Sequence, residues 1–176
     1  NALLGEPELL PIASDIATST VYKLLYGSKK SFRVFFKPDV DTGVRSDPLE
    51  INPEEVEKWG TEAGNPGNEK GVDFIGIQLP NPLLKQGLVI IDTPGVGGLY
   101  RKHRDITLQY APNADAVLFV LDSVESVISR DEIVFLKDLV ENSTKRIFFV
   151  QTKIDAANEE DWQAWKQRNQ SILAEE

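Results

Sequence analysis

Apolar residues along the chain form short runs that predict strands, and these runs are separated by turn residues or by segments with helical spacing. The run around Phe32, Val34 and Phe36 alternates with polar positions at period two, which is typical of a half-buried strand. The later runs do not alternate, which predicts strands covered on both faces, as in a parallel sheet. Six strands are predicted: residues 21–26, 31–36, 72–79, 88–91, 117–121 and 147–150.

Three helices are predicted between and after these strands. Asn52 followed by Pro53 and two acids is a typical helix start, and we expect that helix to run to about residue 63. Ser129 and Glu132 have the spacing of a capping box. Residues 159–174 follow, with Trp162 and Trp165 expected to pack in the core. Alternating strands and helices favour an α/β sandwich.

The charge is unevenly distributed. The chain has 28 acidic and 19 basic residues, a formal charge of −9, and residues 39–73 hold ten of the acids but only three of the bases. Pro and Gly are frequent in the same region, so we interpret residues 37–71 as an acidic, solvated surface insertion. No basic face typical of nucleic-acid binding is present, so no nucleic-acid partner is expected.

Several classes of site are excluded by composition. The chain has no Cys and a single His, His103, which excludes disulfide scaffolds, thiolate metal sites and clusters of His ligands. It shows no export signal and no apolar run of membrane-spanning length, so the cytoplasm is the expected location. The chain lacks Met and opens on an apparent helix end at residues 2–5, from which we expect a fragment truncated at both ends.

An acid ends the predicted strand 88–91. Asp92 is followed by Thr93, Pro94 and Gly95. Ligands in open α/β sheets bind at the carboxyl ends of strands, where an Asp can hold hydrated Mg²⁺. A Gly three residues later lets its backbone N–H approach an anionic oxygen. The alternative is a plain turn.

A second polar cluster follows the strand 147–150. Thr152, Lys153 and Asp155 stand where that strand ends. A carboxylate is an acceptor pair that suits the adjacent N–H groups of guanine, the Lys stem can lie along the purine face, and Thr152 can tie this loop to a neighbouring one. Each motif alone is weak, and the pair is stronger because one crossover unit separates them.

The order of these motifs resembles the P-loop GTPases, and more narrowly the dynamin superfamily. The Thr-Lys-x-Asp form is typical of dynamins. Residues 1–11 look like the helix after a dynamin P-loop, residues 15–23 resemble the first switch of bacterial dynamin-like proteins, and residues 92–98 resemble their second switch. The resemblance implies a three-layer P-loop GTPase-type sandwich with a mostly parallel sheet, covering residues 1–176 as a partial GTPase domain.

The resemblance also implies roles for individual residues. Thr18 corresponds to the switch threonine that ligates Mg²⁺ and orients the attacking water, with Thr20 as the alternative in a shifted register. Asp92 would contact the Mg²⁺ shell through water, and Gly95 the γ-phosphate. The guanine base would be read by Thr152, Lys153 and Asp155.

Two departures from the family pattern concern catalysis. The P-loop Gly-x-x-x-x-Gly-Lys-Ser/Thr is not in these 176 residues, so the fragment alone is expected to be inactive. Val96 follows Gly95 where many small GTPases have a water-orienting Gln. The basic run 101–104 is interpreted as a solvated loop, with a contact surface as the alternative.

The leading hypothesis is therefore a dynamin-like GTPase that binds GTP and GDP, uses Mg²⁺, and forms a homodimer through this domain. Family resemblance also implies membrane remodelling through regions outside the chain, with a location in the cytoplasm or at the inner face of a membrane. The alternatives are an Era-like ribosome-assembly GTPase and a non-catalytic nucleotide-sensing scaffold. The acidic insertion and Thr152 speak against the Era-like alternative.

Overall fold

The structure is a computed structural model that describes residues 2–6, 9–10, 18–95, 101–123, 127–142 and 146–175. The chain divides into two compact units, Asn1–Gly95 and Val96–Glu176. Each unit is described by itself below.

The first unit is built on a five-stranded sheet in the order β3-β2-β4-β1-β5. β1 pairs with β4 in parallel, whereas the β1–β5, β2–β3 and β2–β4 pairs are antiparallel. The expectation of a mostly parallel sheet is therefore wrong, and the sheet is mixed. An apolar run shows that a strand is buried but carries no information on its direction. The strands are β1 Val21–Tyr26, β2 Ser31–Phe36, β3 Leu49–Ile51, β4 Val72–Leu79 and β5 Ile90–Asp92.

Three strands of this sheet follow the sequence prediction at both ends: β1, β2 and β4. The strand predicted over 88–91 is wrong at its start, because Leu88 and Val89 are exposed and lie outside the sheet. β5 instead runs one residue further, so that Asp92 is itself part of the sheet. β3 was not predicted, since its three residues carry no usable pattern.

The acidic insertion has an exposed part and a part that packs against the core. Residues 37–50 are exposed, as predicted. From Val56 onward the interpretation as a solvated surface is wrong in part, because Val56 joins the apolar core and Asn65 is fully buried, although several charged residues there remain exposed. The Asn65 side chain donates a hydrogen bond to the Trp59 carbonyl at 2.9 Å and accepts one from the Lys70 N–H at 3.0 Å.

The helix of the insertion starts as predicted and ends early. A 3₁₀ turn, Pro53–Glu55, leads into α1, Val56–Gly60, and the Glu55 carboxylate accepts the Asn52 N–H at 3.1 Å. Thr61 is already extended, so the prediction of a helix to about residue 63 is wrong. A second short helix, α2 Pro82–Lys85, is capped by Asn81, whose side chain accepts the Leu83 N–H at 2.9 Å.

The second unit contains a parallel pair of strands with helices. β6 Ala116–Asp122 pairs in parallel with β7 Arg146–Thr152, and the helices are α3 Arg101–Tyr110, α4 Arg130–Asn142 and α5 Glu159–Glu175. The predicted capping box is confirmed, since Ser129 N–H donates to Glu132 at 2.7 Å and Glu132 N–H donates to the Ser129 hydroxyl at 3.2 Å.

Among the described residues, apolar packing covers one face of the β6–β7 pair. Phe119 and Leu121 are buried in a cluster with residues of α4. On the other face Leu118 and Val120 are 56% and 55% exposed, and Phe148, opposite Leu118, is 50% exposed. The prediction that both faces are covered is therefore wrong for these strands in this structure.

The basic run 101–104 forms the first turn of α3, so its interpretation as a loop is wrong. Arg104 pairs with Asp138 of α4, whereas the side chains of residues 101–103 lie outside the description. Trp165 is exposed and Trp162 half-buried, so the expected core packing of the two Trp side chains is not met. None of the described helices is long and apolar enough to span a bilayer.

Candidate functional site

Three predicted site residues of the first unit lie at one end of its sheet. Asp92 is the last residue of β5 and stands directly opposite Tyr22, near the start of β1. Thr18 lies just before β1. Because β1 and β5 are antiparallel, the chain that continues from Asp92 to Gly95 leaves the sheet at the end where Thr18 enters it.

In the part of the chain that the structure describes, the Asp92 carboxylate accepts no hydrogen bond. Its side chain reaches solvent, yet surrounding protein atoms desolvate it, and this desolvation raises the pKa of the carboxyl above its ordinary value. Within the described ranges no hydrogen bond or ion pair reaches the carboxylate. A partly desolvated, unpaired carboxylate at the end of a strand suits a hydrated cation, so the residue fits the predicted Mg²⁺ shell.

The described residues do not supply a complete metal site by themselves. No group of three or more acidic or His side chains with metal-binding geometry occurs among them. A Mg²⁺ ion at Asp92 would therefore need further ligands, such as a threonine hydroxyl, phosphate oxygens and water.

The structure separates the two candidate switch threonines. Thr20 is 1% exposed, and its hydroxyl lies 3.5 Å from the Asp73 carbonyl oxygen, to which it donates. Thr18 is only half-buried. A hydroxyl that is enclosed by the fold cannot ligate an ion at the surface, so burial favours Thr18. Its role in binding Mg²⁺ stays a prediction.

Gly95 lies in open space. No atom of the described residues would come within 4 Å of a Cβ at this position, and the residue is exposed. The backbone is thus accessible to an anionic oxygen, as the predicted γ-phosphate contact requires. Val96 and the remainder of the predicted second switch up to residue 98 lie outside the described residues.

The predicted guanine-reading residues of the second unit share one loop at the end of β7. The Thr152 hydroxyl donates to the Leu121 carbonyl at 3.3 Å, and the Ser123 N–H donates to the Thr152 carbonyl at 3.0 Å. These two bonds join Thr152, the last residue of β7, to Leu121 of β6 and to Ser123, the first residue after β6. The role of Thr152 in guanine binding stays a prediction.

Lys153 is held at both its backbone and its side chain. Its φ is +56°, in the left-handed region that few non-Gly residues adopt. Its ammonium donates to the Asp122 carboxylate at 2.5 Å, and its carbonyl accepts the Ala156 N–H at 3.0 Å. Asp155, two residues later, is exposed to solvent.

Asp122 is a residue that sequence reasoning missed. It ends the apolar run 117–121 just as Asp92 ends the run 88–91, so the same pattern could have identified it. In the structure it is the last residue of β6, next to Thr152 in the parallel register, and it orients the lysine of the neighbouring loop.

The chain matches the model of a family described as the dynamin family over residues 1–154. The chain belongs to the dynamin family. The resemblance inferred from the sequence is therefore confirmed.

The chain is also similar in sequence to individual proteins. The chain is 38% identical over 161 residues to an uncharacterized protein in the xynA 3′ region of Caldicellulosiruptor sp. (strain Rt8B.4), which covers 92% of the chain and 38% of that protein. It is 26% identical to the bacterial dynamin-like protein of Nostoc punctiforme over 90% of the chain and 23% of that protein. The chain thus spans well under half the length of these two relatives.

A solved structure shows the same fold. It comes from an oligomerised bacterial dynamin pair described as a mechanism for long-range sensing and tethering of membranes. The TM-score is 0.69 at 16% sequence identity, and the match covers 97% of this chain and 29% of that one. The mixed sheet described above is therefore compatible with a dynamin-type fold.

Proposed function

We propose that the whole protein binds and hydrolyses GTP as a dynamin-like GTPase, and that residues 1–176 form part of its GTPase domain. The observation that carries this proposal is the loop after β7, where Lys153 adopts a left-handed backbone and is fixed by Asp122 beside an exposed Asp155. Membership of the dynamin family supports the same function.

Asp155 and Lys153 would recognise the base. The Asp155 carboxylate offers two acceptor oxygens for the adjacent N–H groups of guanine, which adenine lacks. Asp122 holds the ammonium of Lys153, so the aliphatic stem of that lysine is ordered before a purine ring arrives and less entropy is lost on binding. Thr152 keeps this loop attached to the end of β6.

Thr18, Asp92 and Gly95 would serve the phosphates. Asp92 would hold water molecules of a Mg²⁺ shell, and Thr18 would add its hydroxyl and orient the attacking water through its backbone. Gly95 would donate its N–H to a γ-phosphate oxygen. Mg²⁺ when bound would neutralise charge on the phosphate oxygens, which is the main demand of phosphoryl transfer.

The proposed function also has consequences for oligomeric state and cellular location. We infer a homodimer through this domain, since oligomerised bacterial dynamins share its fold, and membrane remodelling by regions outside the chain. The protein would act in the cytoplasm or at the inner face of a membrane. The 176-residue chain alone, without a P-loop motif, should hydrolyse no appreciable GTP.

A nucleotide competition experiment tests the function. The whole protein is titrated with a fluorescent GDP analogue, which is then displaced by GTP or ATP, and phosphate release is followed with and without Mg²⁺. We expect GTP to compete about a hundredfold better than ATP, because the acceptor pair of Asp155 meets no donor pair on adenine. Equal competition by both nucleotides would contradict the proposal.

A further inference from the structure

The acidic insertion touches the predicted first switch directly. Thr18 and Thr61 form an isolated antiparallel bridge, and the Ser19 N–H donates to the Gly60 carbonyl at 3.0 Å. Ser19 and Thr61 are both 1% exposed, so this pairing is shielded from water. We call residues 59–61, which supply the insertion side of this pairing, the anchor.

The anchor is itself rigidly held by the insertion. The Asn65 N–H donates to the Thr61 carbonyl at 2.8 Å, and the fully buried Asn65 side chain donates to the Trp59 carbonyl. The Thr61 hydroxyl donates to the Glu57 carbonyl at 2.9 Å and accepts the Gly64 N–H at 3.1 Å. The backbone that meets the switch is therefore fixed from behind by a connected network of hydrogen bonds.

Gly60 is the point of closest approach. An ideal Cβ at Gly60 would lie 1.9 Å from the Tyr22 hydroxyl oxygen, 2.7 Å from its ring carbon Cζ and 3.0 Å from the Ile75 Cδ1. Only a residue without a side chain lets the anchor pack this closely against β1. Tyr22 is in turn the cross-strand partner of Asp92. The anchor thus meets β1 between the switch threonine and the acid of the predicted Mg²⁺ shell.

We propose that the anchor positions Thr18 for GTP hydrolysis, with Gly60 as a positioning residue that keeps the Ser19 backbone in register. This inference rests on the proposed function. It assigns a role in the reaction to the acidic insertion, which sequence reasoning interpreted as surface. The insertion sets where the switch threonine enters the sheet, because the bond between Ser19 and Gly60 fixes the residue next to Thr18.

The test introduces a steric clash at Gly60 in the whole protein and then relieves part of it with a second substitution. Gly60→Ala places a methyl group against the Tyr22 hydroxyl and should displace the anchor. Tyr22→Phe removes the closest of these atoms, and this hydroxyl has no hydrogen-bond partner in the described structure, so its loss leaves no partner unsatisfied. Gly60→Ala combined with Tyr22→Phe should recover only in part, because the ring carbon Cζ still lies 2.7 Å from the added methyl group. Val40→Ala is the control, because Val40 lies in the same insertion and its side chain is 98% exposed.

For the enzyme, Gly60→Ala should lower kcat about tenfold or more, while KM for GTP and affinity for GDP change less than about threefold. The double variant should recover part of the lost kcat, and Val40→Ala should stay within about threefold of the wild-type kcat. A Gly60→Ala enzyme as active as the Val40→Ala enzyme would overturn the proposal. Equal damage to KM and kcat would also overturn it, since the anchor would then act on the fold in general.

Hydrogen exchange without nucleotide supplies a second readout that depends neither on activity nor on any variant folding. The Ser19 amide of the wild-type protein should exchange about a hundredfold more slowly than an open-loop amide, because it is bonded and buried. Exchange at the open-loop rate would overturn the pairing even if Gly60→Ala fails to fold. A wild-type protein that hydrolyses no GTP would instead refute the proposed function, and with it the catalytic role of the anchor, while the exchange rate still decides the pairing.

Discussion

The Lys153 ammonium and the Asp122 carboxylate lie 2.5 Å apart, and this ion pair joins the ends of the parallel strands β6 and β7. The pair is partly exposed, so its contribution to folding is small. Its effect on binding should be larger, because it orders the lysine stem that is proposed to lie along the purine ring.

Asp122→Asn should therefore weaken binding of GDP about three- to tenfold while leaving the unfolding temperature nearly unchanged. The measurement is a fluorescence titration with a GDP analogue, with Glu141→Gln in α4 as the control for loss of one negative charge. Unaltered affinity in Asp122→Asn would show that the ion pair does not preorganise the lysine.

Asp155→Asn should change base selectivity. A carboxylate accepts two N–H groups of guanine, whereas an amide offers one acceptor and one donor, which matches xanthine, where an oxygen replaces the amino group. We expect affinity for GDP to fall about a hundredfold and affinity for xanthosine diphosphate to rise. Competition titrations with both nucleotides measure this. A parallel loss of both would mean that Asp155 supports the loop and does not read the base.

The two threonines near β1 should respond differently to loss of their hydroxyls. Thr18→Ala should lower kcat about a hundredfold with GDP affinity preserved, since its hydroxyl is proposed to act on Mg²⁺ and the attacking water. Thr20→Ala should cost about 1 kcal/mol of stability and spare the rate, because Thr20 is buried against β4. Phosphate release and thermal unfolding of both variants separate the roles. The reverse pattern would assign the switch to Thr20.

Asp92→Asn should stabilise the nucleotide-free protein while abolishing hydrolysis. Desolvation raises the pKa of Asp92, so the contribution of this group to stability is present at pH values below the unfolded pKa of about 3.9 and is lost as pH rises through the folded pKa. At neutral pH the folded protein bears an unfavourable charge that the amide removes. Thermal unfolding without Mg²⁺ should show a higher midpoint for Asp92→Asn at neutral pH, and the difference should vanish in acid. A lower midpoint at neutral pH would contradict this reasoning.

The contribution of Asp39 to stability should change with pH in the opposite direction to that of Asp92. The backbone N–H and then the hydroxyl of Thr42 donate to its carboxylate, each at 2.8 Å, and hold the pKa of Asp39 below its ordinary value. These hydrogen bonds to the ionised carboxylate stabilise the exposed turn. Their contribution to stability is present above the unfolded pKa of about 3.9 and is lost as pH falls through the folded pKa. The exchange protection of the Thr42 amide should decline over that acidic range, and Asp39→Ala should remove it at neutral pH. Protection that does not change with pH would exclude the carboxylate as its cause.

Local patterns in the sequence predicted three strands of the first unit at both ends. β1, β2 and β4 were found by side-chain type and turn residues, and the Thr152 contact followed from the position of that residue at the end of a strand. Strand direction was not predictable, because burial makes the same demand on parallel and antiparallel strands.

Contacts between distant parts of the chain could not be predicted at all. The early end of α1 at Gly60 results from the pairing of the next residue, Thr61, with Thr18, and no local signal marks either partner. Leu88 and Val89 were expected inside the sheet because they are apolar, yet the structure leaves both exposed. Family resemblance supplied the role of Thr18, which residue chemistry alone would not have assigned.

The uncovered face of the β6–β7 pair has a practical consequence. Leu118 and Val120 pair with Phe148 and Val150 across the two strands, so four large apolar side chains form one contiguous exposed patch. Exposed apolar patches of this kind promote aggregation at high protein concentration. A solution of these 176 residues should therefore bind hydrophobic dyes, and its solubility limit should be set by this patch in spite of a strongly acidic isoelectric point.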